Sequence, residues 1–142
     1  MFKNLVRASL GALCAVALHT PAHAESPAVR PLAKPPAGEA LKVAFVYVSP
    51  IGTAGWTYQH DQGRLGMERA MGAGVKTTVV ENVAEGPDSE RVMRDLAAQG
   101  HRLIFATSFG YLEPALKVAQ EFPQVAFEHM GGYKTAANVN TY

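Results

Sequence analysis

The residues best suited to binding chemistry stand in two short stretches of the chain. SPIGTAGWTYQHDQGR, residues 49–64, contains the single tryptophan, Trp56. An indole ring stacks on planar ligands, and stacking on a nucleic-acid base contributes about 1–3 kcal/mol. ATSFGYLEP, residues 106–114, adds two more rings, Phe109 and Tyr111. These stretches predict two aromatic walls for a flat ligand, although a lone tryptophan is also common in protein cores and lids.

Polar side chains in the same stretches are suited to the hydrogen-bonding edge of such a ligand. Ser49, Ser108 and Glu113 carry the oxygen atoms that this role needs. Each also has a purely structural interpretation. The two serines are typical turn residues, and Glu113 precedes Pro114, where a helix begins and where an acidic side chain favours the first turn.

Signatures of catalysis and of cofactor binding are absent from the sequence. Glycine-rich dinucleotide and phosphate loops do not occur, and neither does a nucleophile elbow. The histidines at 60, 101 and 129 lack metal-ligand spacing, and nothing pairs the acidic residues at 81, 85 and 113. We therefore expect no catalysis, no metal and no cofactor. A formal net charge of +1 without a basic cluster also argues against nucleic acid as a partner.

Strand-like and helix-like segments alternate along the chain. Apolar, β-branched runs predict strands at 41–48, 75–83, 101–108 and 124–130. Helices are predicted at 55–72, at 87–99 and from 113 to just before 123. For the first helix we expect a buried stripe of Leu65, Met67, Ala70 and Met71. The order β-α-β-α-β-α-β predicts an α/β fold, a three-layer α-β-α open parallel sheet, followed by a loop at 131–142.

Parallel strands place their carboxyl ends at one edge of a sheet, and ligands bind there in open α/β folds. This rule selects four connections: residues 49–56, 82–86, 108–113 and 129–133. The candidate residues Trp56, Phe109 and Gly131 all lie in these connections or at their ends.

The N-terminal region is typical of an exported protein. Lys3 and Arg7 precede an apolar stretch at 8–18, and Ala22-His23-Ala24 is a small-x-small cleavage pattern. We expect a signal peptide at 1–24 and a proline-rich linker at 25–40. The bulky Leu13 before Cys14, the only cysteine, argues against a lipid anchor.

Three blocks of the sequence resemble one family. KVAFVYVSPIGTAGWTYQHDQGR, GPDSERVMRDLAAQGHRLIFATSFGY and FPQVAFEHMGGYKTAANVNTY occur in this order and resemble the BMP family of ABC-transporter substrate-binding proteins, relatives of purine-nucleoside receptors. The resemblance implies a type I periplasmic-binding-protein fold and export to the periplasm. It also implies a purine base or nucleoside as ligand, bound between two lobes, and an ABC permease of the inner membrane as partner.

The resemblance also implies roles for individual residues. Trp56 takes the position of an aromatic residue that stacks on the base, and Thr57 takes the position of a polar residue that follows it. Glu113 loosely matches a carboxylate after the third strand, beside Phe109 and Tyr111. Nucleoside binders carry an acidic residue after the first strand, where this chain has only Val48, Ser49 and Pro50. The departure favours a free base or another small planar ligand.

The family has two lobes, and residues 41–142 resemble the N-terminal part of the first lobe. This difference predicts an apparently truncated lobe, so a non-functional truncated fragment is one alternative. A module that senses a ligand and signals to a membrane partner is another, and an enzyme on a flavodoxin-like sheet is a third.

Overall fold

The chain alternates strands and helices in the predicted order. We describe residues 35–142 of a computed structural model; the predicted signal peptide, and the predicted linker up to residue 34, lie outside the described residues. The elements are β1 (Leu41–Val46), α1 (Trp56–Met71), β2 (Val75–Val80), α2 (Pro87–Ala98), β3 (Leu103–Ala106), α3 (Leu112–Glu121), β4 (Ala126–His129) and β5 (Val139–Thr141). Single turns of 3-10 helix follow α1, at Gly72–Gly74, and precede α3, at Phe109–Tyr111.

The five strands form one parallel sheet in the order β2-β1-β3-β4-β5. The predicted parallel α/β architecture is therefore confirmed. The register aligns Phe45 of β1 with Phe105 of β3 and then with Glu128 of β4. Because all five strands run in the same direction, their carboxyl ends meet at one edge, which we call the carboxyl edge.

The interior strand β1, which pairs with β2 and β3, is buried on both faces and divides the core into two clusters. Ala44 and Val46 pack in one cluster with Met93 and Leu96 of α2. Val43, Phe45 and Tyr47 belong to the other cluster, against which Met67 of α1 packs. Successive side chains of a strand point to opposite faces. Hence α2 and α3 cover one face and α1 covers the other, which produces the three layers.

The predicted apolar stripe of α1 is wrong. Ala70 and Met71 are exposed, Leu65 and Met67 are half-buried, and the buried residues of the helix are Thr57 and Asp61. The helix instead joins the sheet through a polar network, described next.

Asp61 is the centre of this network. Its Oδ1 accepts hydrogen bonds from the Tyr47 hydroxyl at 3.3 Å and from Arg64 Nε at 2.6 Å, and Arg64 Nη1 donates to Thr77 at 3.1 Å. Burial, followed by the Asp61 charge, raises the pKa of Tyr47, while the hydrogen bond to Asp61 raises the pKa of Arg64. A paired carboxylate with a guanidinium is tolerated at a buried position where an isolated charge is not.

The predicted terminal loop contains a strand, β5, which is a second correction. Val139 is fully buried in the α2–α3 side of the core, and β5 pairs in parallel with β4. The side-chain amide of Asn138 donates to the carbonyl oxygens of Ala119, Phe122 and Val125 at 2.8–3.2 Å. Asn138 therefore ties the end of α3 to the start of β5. The polar sequence NVNT concealed this short edge strand.

Within residues 35–142, no helix covers β3, β4 and β5 on the α1 side. Phe45 and Phe105 stack there with centroids 4.6 Å apart, and with Met67 and Tyr142 they line an apolar cavity of about 390 Å³. Because no helix follows β4 up to residue 142, the sheet keeps helical cover on only one face of this strand. None of the helices in this range is long and apolar enough to cross a membrane.

Replacing Asn138 with alanine tests the link between α3 and β5. We expect Asn138→Ala to lower the free energy of unfolding by about 1–3 kcal/mol, because partly buried carbonyl groups lose their donor. Urea denaturation measures the change. Gln120→Ala on the exposed face of α3 is the control and should stay within about 0.5 kcal/mol of the wild type. Equal losses in both variants would contradict the role of Asn138.

Candidate functional site

Trp56 is fixed at the carboxyl edge by a hydrogen bond across the sheet. Its indole Nε1 donates to the carbonyl oxygen of Thr107, just beyond β3, at 2.7 Å. Gly55, the residue before α1, has φ of 96°, a conformation that glycine adopts without strain and that turns the chain into the helix at Trp56. The indole ring of Trp56 is thus held in place while 49% of the residue is exposed to solvent.

His60 supports the indole from within α1. The two rings lie 4.9 Å apart between centroids, tilted by 47°, and His60 Nδ1 is 3.0 Å from the carbonyl oxygen of Trp56. Tyr142 follows at 6.2 Å from His60. An aromatic series thus runs from the carboxyl edge to the uncovered face of the sheet.

Ser49 and Thr57 face one another behind Trp56. Their hydroxyl oxygens share a hydrogen bond of 2.7 Å. Thr57 is only 2% exposed, whereas Ser49 is half-buried. The pair closes the β1–α1 connection onto the helix, and of the two only Ser49 is accessible.

The carboxylate of Glu81 also holds this connection. Its Oε2 accepts a hydrogen bond from the backbone N–H of Ile51 at 2.7 Å. Glu81 directly follows β2, so the connection after β1 is fixed by its neighbouring strand.

Phe109 carries the second exposed ring of the carboxyl edge. It is 60% exposed and lies 6.2 Å from the ring of Tyr133, which is 69% exposed. Lys134 Nζ is 5.5 Å from the centroid of the Tyr133 ring. The aromatic partner of Phe109 is therefore Tyr133, from the segment after β4.

Tyr111 does not contribute to this surface, contrary to the sequence expectation. It is fully buried, and its hydroxyl donates to the carbonyl oxygen of Val83 at 2.6 Å. Burial, with a smaller contribution from Glu85, raises its pKa. The 3-10 turn at Phe109–Tyr111 places the first ring in solvent and the last in the core, so Tyr111 stabilises the fold.

Glu113 lies in the first turn of α3 but does not form a side-chain cap. Its carboxylate instead pairs with Lys134, and this hydrogen bond raises the pKa of the lysine. The pair is largely exposed and joins α3 to the segment after β4. Gly131, in the same segment, has φ of 68° and donates its N–H to the carbonyl oxygen of Tyr142 at 2.9 Å.

Glu85 is the carboxylate that binds the connection after β3. Its Oε1 accepts the Ser108 hydroxyl at 2.6 Å and the backbone N–H of Gly110 at 3.1 Å. A Cβ atom at Gly110 would collide with the carboxyl group of Glu85, so a side chain there would displace the flexible end of this glutamate. Among residues 35–142 no hydrogen bond uses the second oxygen, Oε2, of this exposed carboxylate.

Comparison with known proteins agrees with this arrangement of a parallel sheet and its carboxyl edge. Residues 40–142 match the Bmp family, described as ABC transporter substrate-binding protein, PnrA-like. The chain belongs to this family. It is 56% identical over 106 residues to a purine-binding protein of Brucella abortus, a match that covers 75% of this chain and 30% of that protein.

Other relatives place the chain in the same structural class. A putative ABC transporter glucose-binding protein of Haloferax volcanii is 40% identical over 108 residues, covering 76% of this chain and 27% of that protein. A solved solute-binding protein from Conexibacter woesei aligns with a TM-score of 0.66 at 24% identity, covering 72% of this chain and 34% of that one. This last likeness concerns the fold. The chain spans less than a third of the length of both sequence relatives.

Sequence reasoning missed two residues of the site. Glu85 and Tyr133 both lie in connections that the parallel-sheet rule selects, but neither is singled out by spacing. Glu85 reaches Ser108, 23 positions later, and Tyr133 reaches Phe109 from the far side of β4. A search for every carboxylate and aromatic residue in the four connections would have found both.

Adding a methyl group at Gly110 tests the Glu85 contact. We expect Gly110→Ala to lower the free energy of unfolding by about 0.5–1.5 kcal/mol, because the new Cβ displaces the carboxylate from the Ser108 hydroxyl and the Gly110 N–H. In a Glu85→Ala background the same substitution should cost almost nothing. A double-mutant cycle by urea denaturation measures this coupling.

Gly63→Ala is the matched control for that cycle. A Cβ at Gly63 meets no atom within 4 Å, and alanine favours a helix interior by about 1 kcal/mol over glycine. Gly63→Ala should therefore maintain or raise the stability. A Gly110→Ala cost that is unchanged without Glu85 would contradict the proposed contact.

Proposed function

We propose that the chain is first-lobe sequence of a solute-binding protein for an ABC importer, and that it binds a purine base or a similar ligand without catalysis. The observation that carries the proposal is the indole of Trp56, held by Thr107 at the carboxyl edge with half of its surface open. A preorganised ring loses little conformational entropy when a flat ligand stacks on it. Family membership and the purine-binding relative support the ligand class.

The polar edge of the ligand meets the oxygen atoms beside the aromatic rings in this proposal. Glu85 is fixed by Ser108 through one oxygen, so the other can accept the N–H groups that a purine presents. Ser49 offers its hydroxyl from the β1–α1 connection. Direct ligand contacts of Thr57, Glu113 and Gly131 stay predictions; in the structure Thr57 is buried, Glu113 binds Lys134, and the Gly131 N–H is used.

A free base suits this edge better than a nucleoside. The β1–α1 connection has no acidic residue at 48–50, and the nearby carboxylate of Glu81 accepts the N–H of Ile51. Oε2 of Glu81 is occupied by this bond, so a ribose hydroxyl group would have only Oε1 of Glu81 as a carboxylate acceptor on that side. The alternative, a nucleoside, therefore depends on that second oxygen.

The proposal also requires a second wall, on the opposite side of the ligand from Trp56. Ligand pockets bury most of a ligand's surface, and type I receptors close by a hinge motion. The chain spans 30% of the Brucella relative, so residues equivalent to the rest of that protein would supply the opposite wall. Export by the signal peptide at 1–24, a periplasmic location and delivery to an inner-membrane permease complete the hypothesis.

Substitution of Trp56 tests the stacking. We expect Trp56→Ala to weaken the affinity for adenine, hypoxanthine or guanosine by about 5- to 150-fold, which corresponds to a loss of about 1–3 kcal/mol. Isothermal titration of protein purified from its native cells measures the affinity. Circular dichroism should show an unchanged fold, since the ring is half exposed.

Trp56→Phe is the matched variant for this test. It keeps an aromatic face but loses the N–H that binds Thr107, so its affinity should lie between those of the wild type and Trp56→Ala. Retention of full affinity in Trp56→Ala would refute the stacking proposal.

The intact mass of the protein recovered from the native periplasm tests the two-wall proposal. We expect removal of residues 1–24 and a mass well above that of residues 25–142, because the matches cover only 30% and 27% of the two relatives. A mass equal to residues 25–142 would contradict the two-wall proposal.

A further inference from the structure

His129 is a buried titratable residue beneath the connection that carries Ser108 and Phe109. It is the last residue of β4, and its side chain is on the α3 side of the sheet, with 0% exposure. Its Nε2 lies 2.9 Å from the carbonyl oxygen of Ser108. The site described above uses Ser108 and Phe109 but assigns no role to the imidazole.

The surroundings of His129 accommodate only the neutral ring. Because Nε2 faces a carbonyl oxygen, it carries the hydrogen, and Nδ1 is then the bare nitrogen of a neutral imidazole. Nδ1 is buried without a hydrogen-bond partner among residues 35–142. A Cβ built on Gly132 would lie 2.6 Å from Nδ1 and 2.8 Å from Thr141 Cγ2, so this side is closely packed. In this arrangement Nδ1 has no acceptor within hydrogen-bond distance in the described part of the chain, and the backbone groups of Ser108 and Phe109 favour a charged ring less than burial opposes it.

Charges on the surrounding elements do not offset this cost. The titratable groups of those elements are Glu85 in the β2–α2 connection, Tyr111 before α3, Glu113, Lys117 and Glu121 on α3, Glu128 on β4, Tyr133 and Lys134 after β4, and Tyr142 after β5. Lys117 pairs with Glu90, Glu121 pairs with Arg94, and the Tyr111 hydroxyl donates to Val83. Glu85 binds the Ser108 side chain, and Glu113 and Lys134 bind each other. Glu128 points to the opposite face of the sheet, and Tyr142 is exposed on that side.

We propose that His129 is a positioning residue for the ligand site and makes ligand binding sensitive to acid. The neutral ring holds the Ser108 carbonyl, and through Ser108 it holds the Glu85 carboxylate and the Phe109 ring. A proton that enters from solvent binds Nδ1 and creates a buried cation without an acceptor. The ring must then turn toward water, and the connection at 107–111 moves with it. The ligand part of this inference depends on the proposed function.

The direction of the pH effect follows from burial. Burial lowers the pKa of His129 below its ordinary value of 6.5, against the opposing hydrogen bonds to the backbone of Ser108 and Phe109. A group whose pKa is lowered by burial stabilises its buried position only in the neutral form. Neutral His129 therefore stabilises the connection at 107–111 fully above pH 6.5, and this stabilisation is lost as the pH falls through the pKa of His129 in the folded protein.

Trp56 reports this movement without any ligand. It is the single tryptophan of the chain, and its indole binds Thr107, the residue next to Ser108. Because the His60 ring lies 4.9 Å from the indole and quenches it when protonated, every protein in the test carries His60→Gln. In this background we expect a change of Trp56 emission with a midpoint below 6.5.

His129→Gln is the decisive variant, because glutamine can donate to the Ser108 carbonyl but does not titrate. The pH-dependent change of Trp56 emission should disappear in His129→Gln, and this variant should still fold. His101→Gln is the matched control: His101 is also buried, but it binds Leu96 and Thr78 at the opposite edge of the sheet. The change of Trp56 emission should persist in His101→Gln. A change that survives His129→Gln, that is lost in His101→Gln, or that is absent from the background protein overturns the proposal.

Ligand titration separates this inference from the proposed function. Between about pH 7.5 and about pH 5 the affinity for hypoxanthine should fall about tenfold with His129 present and stay constant with His129→Gln. An equal fall in both proteins refutes the role of His129 in binding. Absence of purine binding at both pH values refutes the proposed function, while the emission experiment still decides whether His129 positions the connection.

Discussion

The common direction of the five strands is the constraint from which the site follows. Parallel pairing brings every carboxyl end to one edge, so Trp56 can donate to Thr107 although 51 positions separate them in the chain. Parallel strands cannot be joined by a tight hairpin, and three of the four connections between consecutive strands contain the helices that cover the sheet. The interior strand β1 must then be apolar on both faces, as the buried residues Val43 to Val46 are. Site and core thus depend on the same geometry.

Side chains that cross from one connection to the next hold the carboxyl edge in place. Glu81 binds the backbone after β1, Glu85 binds the backbone and side chain after β3, and His129 binds the carbonyl at Ser108. Connections between strands are ordinarily the least constrained parts of a fold. Here the connections after β1 and β3 are fixed by groups from the ends of other strands, which lowers the entropic cost of binding a ligand between them.

The sequence was sufficient for the elements that depend on local pattern. Continuous apolar runs identified β1 to β4, and Pro87 and Pro114 marked helix starts correctly to within about two residues. It was insufficient where a distant contact decides the structure. β5 exists because Asn138 binds the end of α3, and α1 packs through Asp61 rather than through an apolar stripe.

The same limit applies to the site residues. Trp56, Ser49, Ser108 and Phe109 were placed at the edge by strand order alone. Tyr111 was misplaced because its direction depends on a single 3-10 turn, which spacing does not reveal. Glu85 and Tyr133 were missed because their partners, Ser108 and Phe109, lie more than twenty positions away. Periodicity predicts where a residue lies along a strand, but it does not predict the direction of a side chain in a turn or the distant residue with which it pairs.

The close approach of Glu85 to Gly110 also affects how this part of the chain can diverge. While residue 85 is a glutamate in this position, a side chain at residue 110 would displace its carboxylate and break its hydrogen bonds to the Ser108 hydroxyl and the Gly110 N–H, although the backbone of residue 110 is not strained. Without the carboxylate, this cost disappears. The two positions are therefore coupled during descent, and the change at residue 85 lowers the cost of a later change at residue 110.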